Sequence, residues 1–258
     1  MAKRVGIPPE TFALPLSVPL KNRRDDLFTI TEQSPAELAI ALRKHQLDGA
    51  LLSPIDYAKD YAMYRIVPGV GIASSGESQT ILLVFHESIR DITTIAVDPH
   101  FTSEIVLASI ILAERYDSHP KIVPFSGTVE TMMQSADCAL VVGNAAIRLS
   151  NHSTKIDLVD EWSDMTDLPF VHGIWVSREQ DLTVREMEAL KYHDPPEKLP
   201  EEEIRFLDPS YFAYFQYDLN SEAVAGLIEF FRMAYFHGIL NDITDVKFFS
   251  ESGDGAAQ

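Results

Sequence analysis

The chain has 258 residues, 46% of them hydrophobic and 23% charged, enough to bury a sizeable core in one domain or two. A formal charge of −18 argues against nucleic acid, since phosphate binding needs clustered Lys and Arg, and the densest basic run, Lys21-Asn22-Arg23-Arg24, reads as a solvated loop. No apolar run is long enough to cross a bilayer, so a membrane is not expected as a partner either. Cys138 is the only cysteine, which rules out an internal disulfide. The opening Met1-Ala2-Lys3-Arg4 reaches Pro8-Pro9 without an apolar leader, and the expected location is the cytoplasm.

Short apolar runs alternate with amphipathic stretches, which predicts an α/β protein with mostly parallel sheets. Ser34-Pro35-Ala36-Glu37 predicts a helix start, with Ser34 as N-cap, Pro35 at the first helical position and Glu37 completing a capping box. Leu38, Ala41, Leu42 and His45 share one side of that helix. Residues 47–53 predict a strand ending at Ser53, and Pro54 begins another helix. Gly69-Val70-Gly71 follows Pro68 and predicts a turn. Residues 80–85 are a strongly apolar strand, and Thr102-Ser103 precedes a helix running to about Tyr116, one of the two hydroxyls being its expected N-cap.

Residues 128–135 and 136–144 repeat the earlier helix–strand unit, matching Asp48-Gly49-Ala50-Leu51-Leu52-Ser53 with Asp137-Cys138-Ala139-Leu140-Val141-Val142. Cys138 is thereby a buried strand residue rather than a nucleophile. Residues 169–176 form a second strongly apolar strand, in which His172 is expected to be a hydrogen-bonded core or hinge residue. Tyr211, Phe212, Tyr214, Phe215 and Tyr217 read as the packing surface of the C-terminal segment. Residues 220–235 predict an amphipathic helix with Val224, Leu227, Ile228, Phe231 and Tyr235 on one face and Gly238 as its stop signal. Residues 250–258 are small and polar, and are expected to fray.

The repeated unit fits two similar lobes facing one another, with residues 80–85 and 169–176 as the strands where the chain changes lobe. The expected division is 1–85 plus 177–258 for the first lobe and 86–176 for the second, with a ligand cleft between them. No nucleophile elbow, Walker loop or zincin motif is present, and no metal site can be argued from the histidine spacing. In open α/β sheets ligands gather beyond the carboxyl ends of strands. Ser53, Ser78, Thr80, Thr102, Ser103 and Asn144 hold such positions, and together they describe neutral donors suited to a small carboxylate-bearing ligand.

Several blocks carry a more specific resemblance: Ser53-Pro54-Ile55-Asp56-Tyr57-Ala58, Ile66-Val67-Pro68-Gly69-Val70-Gly71-Ile72, and the strand after Gly76. Asp157-Leu158-Val159-Asp160-Glu161-Trp162, Asp167-Leu168-Pro169-Phe170-Val171, and Gly226-Leu227 with Phe230-Phe231 continue it. In their order and spacing these resemble the chorismate dehydratases of the futalosine route to menaquinone. The resemblance implies a type II periplasmic-binding-protein-like fold without a cofactor. It implies loss of water from chorismate, a dicarboxylate, to give 3-[(1-carboxyvinyl)oxy]benzoate, a hydro-lyase reaction for which Thr80 is the candidate catalytic residue.

The cleft positions depart most from the family. Phe12 stands where the family has an Asn, Thr80 replaces a Ser, and Asn144 replaces an Asp after Gly143. Thr102, Ser103 and Glu104 fall on a Ser-Arg-Thr-Ser stretch at its Arg, Thr and final Ser. The alternative expectation is therefore a diverged member that binds a small carboxylate in the same cleft without dehydrating it.

Overall fold

The capping box expected at Ser34 forms: its amide and hydroxyl both donate to Glu37 Oε2, at 3.0 and 2.6 Å, and Pro35 opens the helix behind it. The computed structural model describes residues 2–86, 88–149, 154–191, 198–205, 207–208 and 210–250, so most of the tail expected to fray lies outside the described residues. The strands are β1 (Lys3–Ile7), β2 (Phe28–Glu32), β3 (Gly49–Leu52), β4 (Arg65–Ser74), β5 (Ile81–Phe85), β6 (Thr94–Val97), β7 (Lys121–Pro124), β8 (Cys138–Val142), β9 (Lys155–Asp157), β10 (Phe170–Ser177) and β11 (Phe215–Gln216). The α-helices are α1 (Leu14–Lys21), α2 (Pro35–Arg43), α3 (Pro54–Lys59), α4 (Thr102–Tyr116), α5 (Val129–Ser135), α6 (Asn144–Ile147), α7 (Leu158–Thr166), α8 (Val184–Leu190), α9 (Glu201–Ile204) and α10 (Ser221–Phe236).

These strands make two mixed sheets, ordered β11-β4-β10-β3-β1-β2 and β7-β6-β8-β5-β9. In the first, β3 runs parallel to β1 and antiparallel to β10, which is itself antiparallel to β4. In the second, β8 runs parallel to β6 and antiparallel to β5, which is antiparallel to β9. Outer parallel pairs, β1–β2 and β6–β7, complete the correspondence. Both lobes thus share one strand plan, and β11 extends only the first.

The repeat seen in the sequence falls on the equivalent strands β3 and β8, and its aspartate does the same work twice. Asp48 Oδ2 accepts the amide of Arg4 at 2.7 Å, at the start of β1. Asp137 Oδ2 accepts the amides of Thr93 and Thr94 at 3.0 and 2.9 Å, at the start of β6. An acceptor before one parallel strand thereby satisfies backbone donors at the beginning of its neighbour.

The lobe boundaries move by one strand on each side. β5 hydrogen-bonds to β8 and β9 and so belongs to the second lobe, whereas β10 lies between β3 and β4 in the first. Boundaries at 85 and 176 put both strands in the wrong sheet, because a crossover strand pairs with the lobe it enters. Gly69 takes a φ of +77° and lies inside β4 rather than in a free turn; the surrounding residues bulge between the pairs Ile174↔Gly71 and Val176↔Ile66. Helix α1 was hidden by Pro15 and Pro19, and it buries every residue except Lys21, which therefore ends a helix instead of opening a loop.

One apolar cluster runs through both lobes, joining Ile55 and Tyr57 of α3, Leu107 and Ile110 of α4, and Leu227, Phe230 and Phe231 of α10. A Cβ on Gly226 would lie 2.1 Å from the Pro169 carbonyl oxygen, so glycine is what lets α10 seat against the entry to β10.

Candidate functional site

Four chain segments leave the carboxyl ends of β1, β3, β6 and β8, and they meet in two pairs across the lobes. In the first pair, the Ser53 hydroxyl donates to Asp56 Oδ2 at 2.9 Å, and the Thr102 hydroxyl donates to the same oxygen at 2.6 Å. Ser53 Oγ and Thr102 Oγ1 are themselves 2.9 Å apart, and the Ile55 amide donates to Ser103 Oγ at 3.0 Å. Neither Thr102 nor Ser103 caps α4, contrary to expectation: the N-cap position is Phe101, without a side-chain bond, and both hydroxyls are turned across the cleft. On the opposite lobe, Lys59 Nζ reaches Asp56 Oδ1 at 3.0 Å.

The second pair joins the segment after β1 to the start of α6. Asn144 Oδ1 accepts both the amide and the hydroxyl of Thr11, at 2.8 and 2.6 Å, while the Asn144 amide donates to Glu10 Oε2 at 2.9 Å. A Cβ on Gly143 would stand 2.0 Å from that Glu10 oxygen, and Gly143 has a φ of +61°, so two constraints require glycine there. Burial is the main cause raising the Glu10 carboxyl above its ordinary range, and the Asn144 amide opposes it.

Ser78 and Thr80 are fully buried and bond chiefly to one another: the Thr80 amide donates to Ser78 Oγ at 3.3 Å, and its hydroxyl to the Ser78 carbonyl at 3.1 Å. Tyr211 brings its hydroxyl to 3.4 Å from Thr80 Oγ1 from the other lobe. Thus Ser53, Thr102 and Ser103 converge, Asn144 serves the second latch, and Ser78 with Thr80 forms a third, local group.

Phe12 lies beside the first pair, lining a small void with Ser53. Its ring centroid is 5.4 Å from that of His172 and 6.1 Å from that of Phe215, and Tyr217 donates its hydroxyl to the Phe12 carbonyl at 2.9 Å. Beside Phe12, a void of about 10 Å³ lined by Ser53, Phe101, Glu104 and His172 is at the lower limit for one water. Burial pushes Glu104 up to about 8, with Asp56 and Glu10 adding repulsion against its own backbone hydrogen bond. His172, expected in the core or at a hinge, is indeed buried and bonded through Nε2 to Ser74 Oγ at 2.6 Å, but it also lines this void. Burial lowers it to about 3. A roomier hollow of about 200 Å³, lined by Ile95, Ile105, Leu112, Ser118, His119 and His237, includes none of the latch residues.

Glu10 and Asp56 escaped the sequence as site residues, whereas Glu104 stands among the cleft positions of the family comparison and His172, in a crossover strand, was also open to facing the cleft. Asp56 and Glu104 are first-turn acids of α3 and α4, and both are buried. Gly143 was the one available signal, since a glycine before a helix start can mark a close approach.

Two similar α/β lobes, crossed by one exchanged strand each way and meeting at the carboxyl ends of their parallel strands, define a periplasmic-binding-protein-like fold of type II. The chain belongs to the menaquinone biosynthesis family, whose model matches residues 3–236. Among solved structures it is similar to protein AF1704 from Archaeoglobus fulgidus, with 19% identity over 92% of this chain and 98% of that one, at a TM-score of 0.65. It also resembles the periplasmic aliphatic sulphonate binding protein SsuA from Escherichia coli, with 14% identity over 95% of each chain and a TM-score of 0.60. A Candida albicans gene product described as having the generic periplasmic binding protein fold matches at 11% identity over 98% of this chain and 99% of its own, with a TM-score of 0.57. At such identities the likeness is one of fold.

Proposed function

We propose that this member of the family is a chorismate dehydratase, converting chorismate to 3-[(1-carboxyvinyl)oxy]benzoate and water. The observation that carries the proposal is the family match over residues 3–236, joined to a cleft in which the hydroxyls of Ser53 and Thr102 and the Asn144 amide now donate to the carboxylates of Asp56 and Glu10. Loss of the ring hydroxyl with the neighbouring ring hydrogen makes the ring aromatic, so the reaction has strong intrinsic driving force. The protein has to hold two carboxylates, orient the ring and assist the departing oxygen. Ser53, Thr102, Ser103 and the Asn144 amide are donors for carboxylate binding once the lobes part, and Ser78 and Thr80 are further candidates for it. Opening is required, because organic ligands occupy pockets of about 300 Å³ or more. With one cysteine and no disulfide to form, the proposal includes a reducing, cytoplasmic setting.

A second reading is a diverged member that binds the carboxylate without turnover. It is favoured by Phe12, whose ring occupies the family's Asn position and is only 5% exposed. Incubating the purified protein with chorismate and following the aromatic product by mass separates the two. Product formation supports the dehydratase; thermal stabilisation by chorismate without product supports the binder, and neither effect removes both.

A further inference from the structure

Glu104 and His172 approach the same small void from different lobes, Glu104 from the first turn of α4 and His172 from the middle of β10. Both are at least nine-tenths buried, with exposures of 3% and 4%. Among the described residues, Glu104 Oε2 and His172 Nδ1 have no hydrogen-bond partner. Buried polar atoms are nearly always paired, so two orphans at one void ask for an occupant with polar groups of its own. Aromatic rings wall the imidazole: Phe12, Phe170 and Phe215 have centroids 5.4, 5.2 and 5.6 Å from it. The charges felt by Glu104 are the carboxylates of Asp56 on α3 and Glu10 after β1, and both oppose its ionisation.

We infer that Glu104 and His172 are the proton donor and proton acceptor of the cleft, acting together on a ligand that carries a hydroxyl next to an acidic C–H. This rests on the dehydratase reading and assigns its two proton transfers. The ring C–H bond breaks, its electron pair becomes the new ring double bond, and its proton passes to His172 Nδ1. The neighbouring C–O bond breaks, the oxygen keeps that pair, and the proton of Glu104 Oε2 completes a water molecule. Glu104 is then a carboxylate and His172 an imidazolium, and one proton passed back from His172 to Glu104 resets the pair. No oxidant, reductant or further reactant is needed.

Neither group suits the task alone. A buried imidazole is a poor base and a buried carboxylic acid resists ionising, yet simultaneous transfer replaces two neutral groups by an ion pair, which a low-dielectric site favours over either isolated charge. The base requires the tautomer with hydrogen on Nε2, donated to Ser74 Oγ, leaving the Nδ1 lone pair toward the void. Ser74 is a positioning residue in this scheme.

The test is steady-state turnover of chorismate by the full chain and by Glu104→Gln and His172→Asn, with chorismate affinity measured in parallel. The inference predicts a kcat loss of at least about 100-fold in each variant, with affinity changed by less than about threefold. Because either variant can fail to fold, the wild type supplies a second readout. Its kcat/KM falls as pH rises through about 8, where Glu104 of the free chain loses its proton, and ¹⁵N spectra show neutral His172 with its hydrogen on Nε2 at neutral pH. Unchanged kcat in folded Glu104→Gln, a rate flat through that pH, or hydrogen on Nδ1 overturns the inference while leaving the dehydratase reading intact. A wild type that binds chorismate but forms no product overturns the reading and the proton roles together.

Discussion

The two latches occupy corresponding places in the two lobes but are built from different materials. Ser53, Asp56 and Thr102 meet through side chains, Ser103 accepts the Ile55 amide, and α4, fifteen residues long, carries both Thr102 and Ser103. Glu10, Thr11 and Asn144 instead depend on backbone: two amides take part, and a glycine at 143 makes room for the carboxylate. The same strand plan can therefore close its cleft in two ways, one mainly through side chains with a single amide, the other through two amides and an obligatory glycine. In both, groups of the kind that hold a carboxylate ligand are taken up by the protein itself.

The largest effect expected is at Gly143. Gly143→Ala places a methyl against Glu10 and forces a left-handed backbone on alanine, an expected loss of about 1–3 kcal/mol. That corresponds to about 2–4 °C of Tm for each kcal/mol in a chain of this size. Adding Glu10→Ala removes the atom that is struck, so the double variant is expected to be more stable than the sum of the two single losses. Strict additivity in thermal melts would show that the latch is not the cause.

At the other latch, Asp56→Ala leaves the Ser53 and Thr102 hydroxyls without their shared acceptor. The expected loss is about 1–2 kcal/mol in urea denaturation, and Gly143→Ala should exceed it. The reverse order would mean that the side-chain latch is the more constrained of the two.

Glu104 adds a pH signature. It keeps its proton to about 8 in the folded chain, against 4.5 ordinarily. Between those values the folded state binds a proton that the unfolded state has lost, so stability falls as pH rises through the window. Glu104→Gln is expected to flatten that slope, measured as the shift in urea midpoint between about pH 5 and about pH 8. The smallest effects are at the repeated aspartates. Asp137, held down to about 2 chiefly by the Thr93 hydroxyl and amide, contributes stability above its unfolded value, and loses it as pH falls toward that figure. Asp48→Asn and Asp137→Asn should each lower Tm by a few degrees, and by similar amounts if their roles correspond.

Much of the architecture was legible because it rests on local signals. The capping box at Ser34, the stop at Gly238 and the Asp48/Asp137 repeat each need only a few neighbouring residues, and the repeat marks two equivalent strands, β3 and β8. Strand exchange was half legible: the apolar runs at residues 80–85 and 169–176 were found, but which sheet each joins is a matter of long-range pairing. The site was least legible. Thr102 and Ser103 look like caps in sequence, and turning their hydroxyls across the cleft takes a second lobe to receive them. Glu10 and Glu104 acquire their character only from burial by distant segments.

If the latches compete with ligand, weakening one should help the ligand bind, because the apparent affinity rises with the population of the open form. Calorimetric titration of chorismate into the wild type and into Glu10→Ala tests this directly, since that substitution frees the Asn144 amide and removes a competing carboxylate. The expected result is affinity about 3- to 10-fold tighter in Glu10→Ala, the equivalent of about one hydrogen bond no longer broken on opening. Weaker binding in the variant would contradict the account, because Glu10 would then be holding the ligand rather than its place.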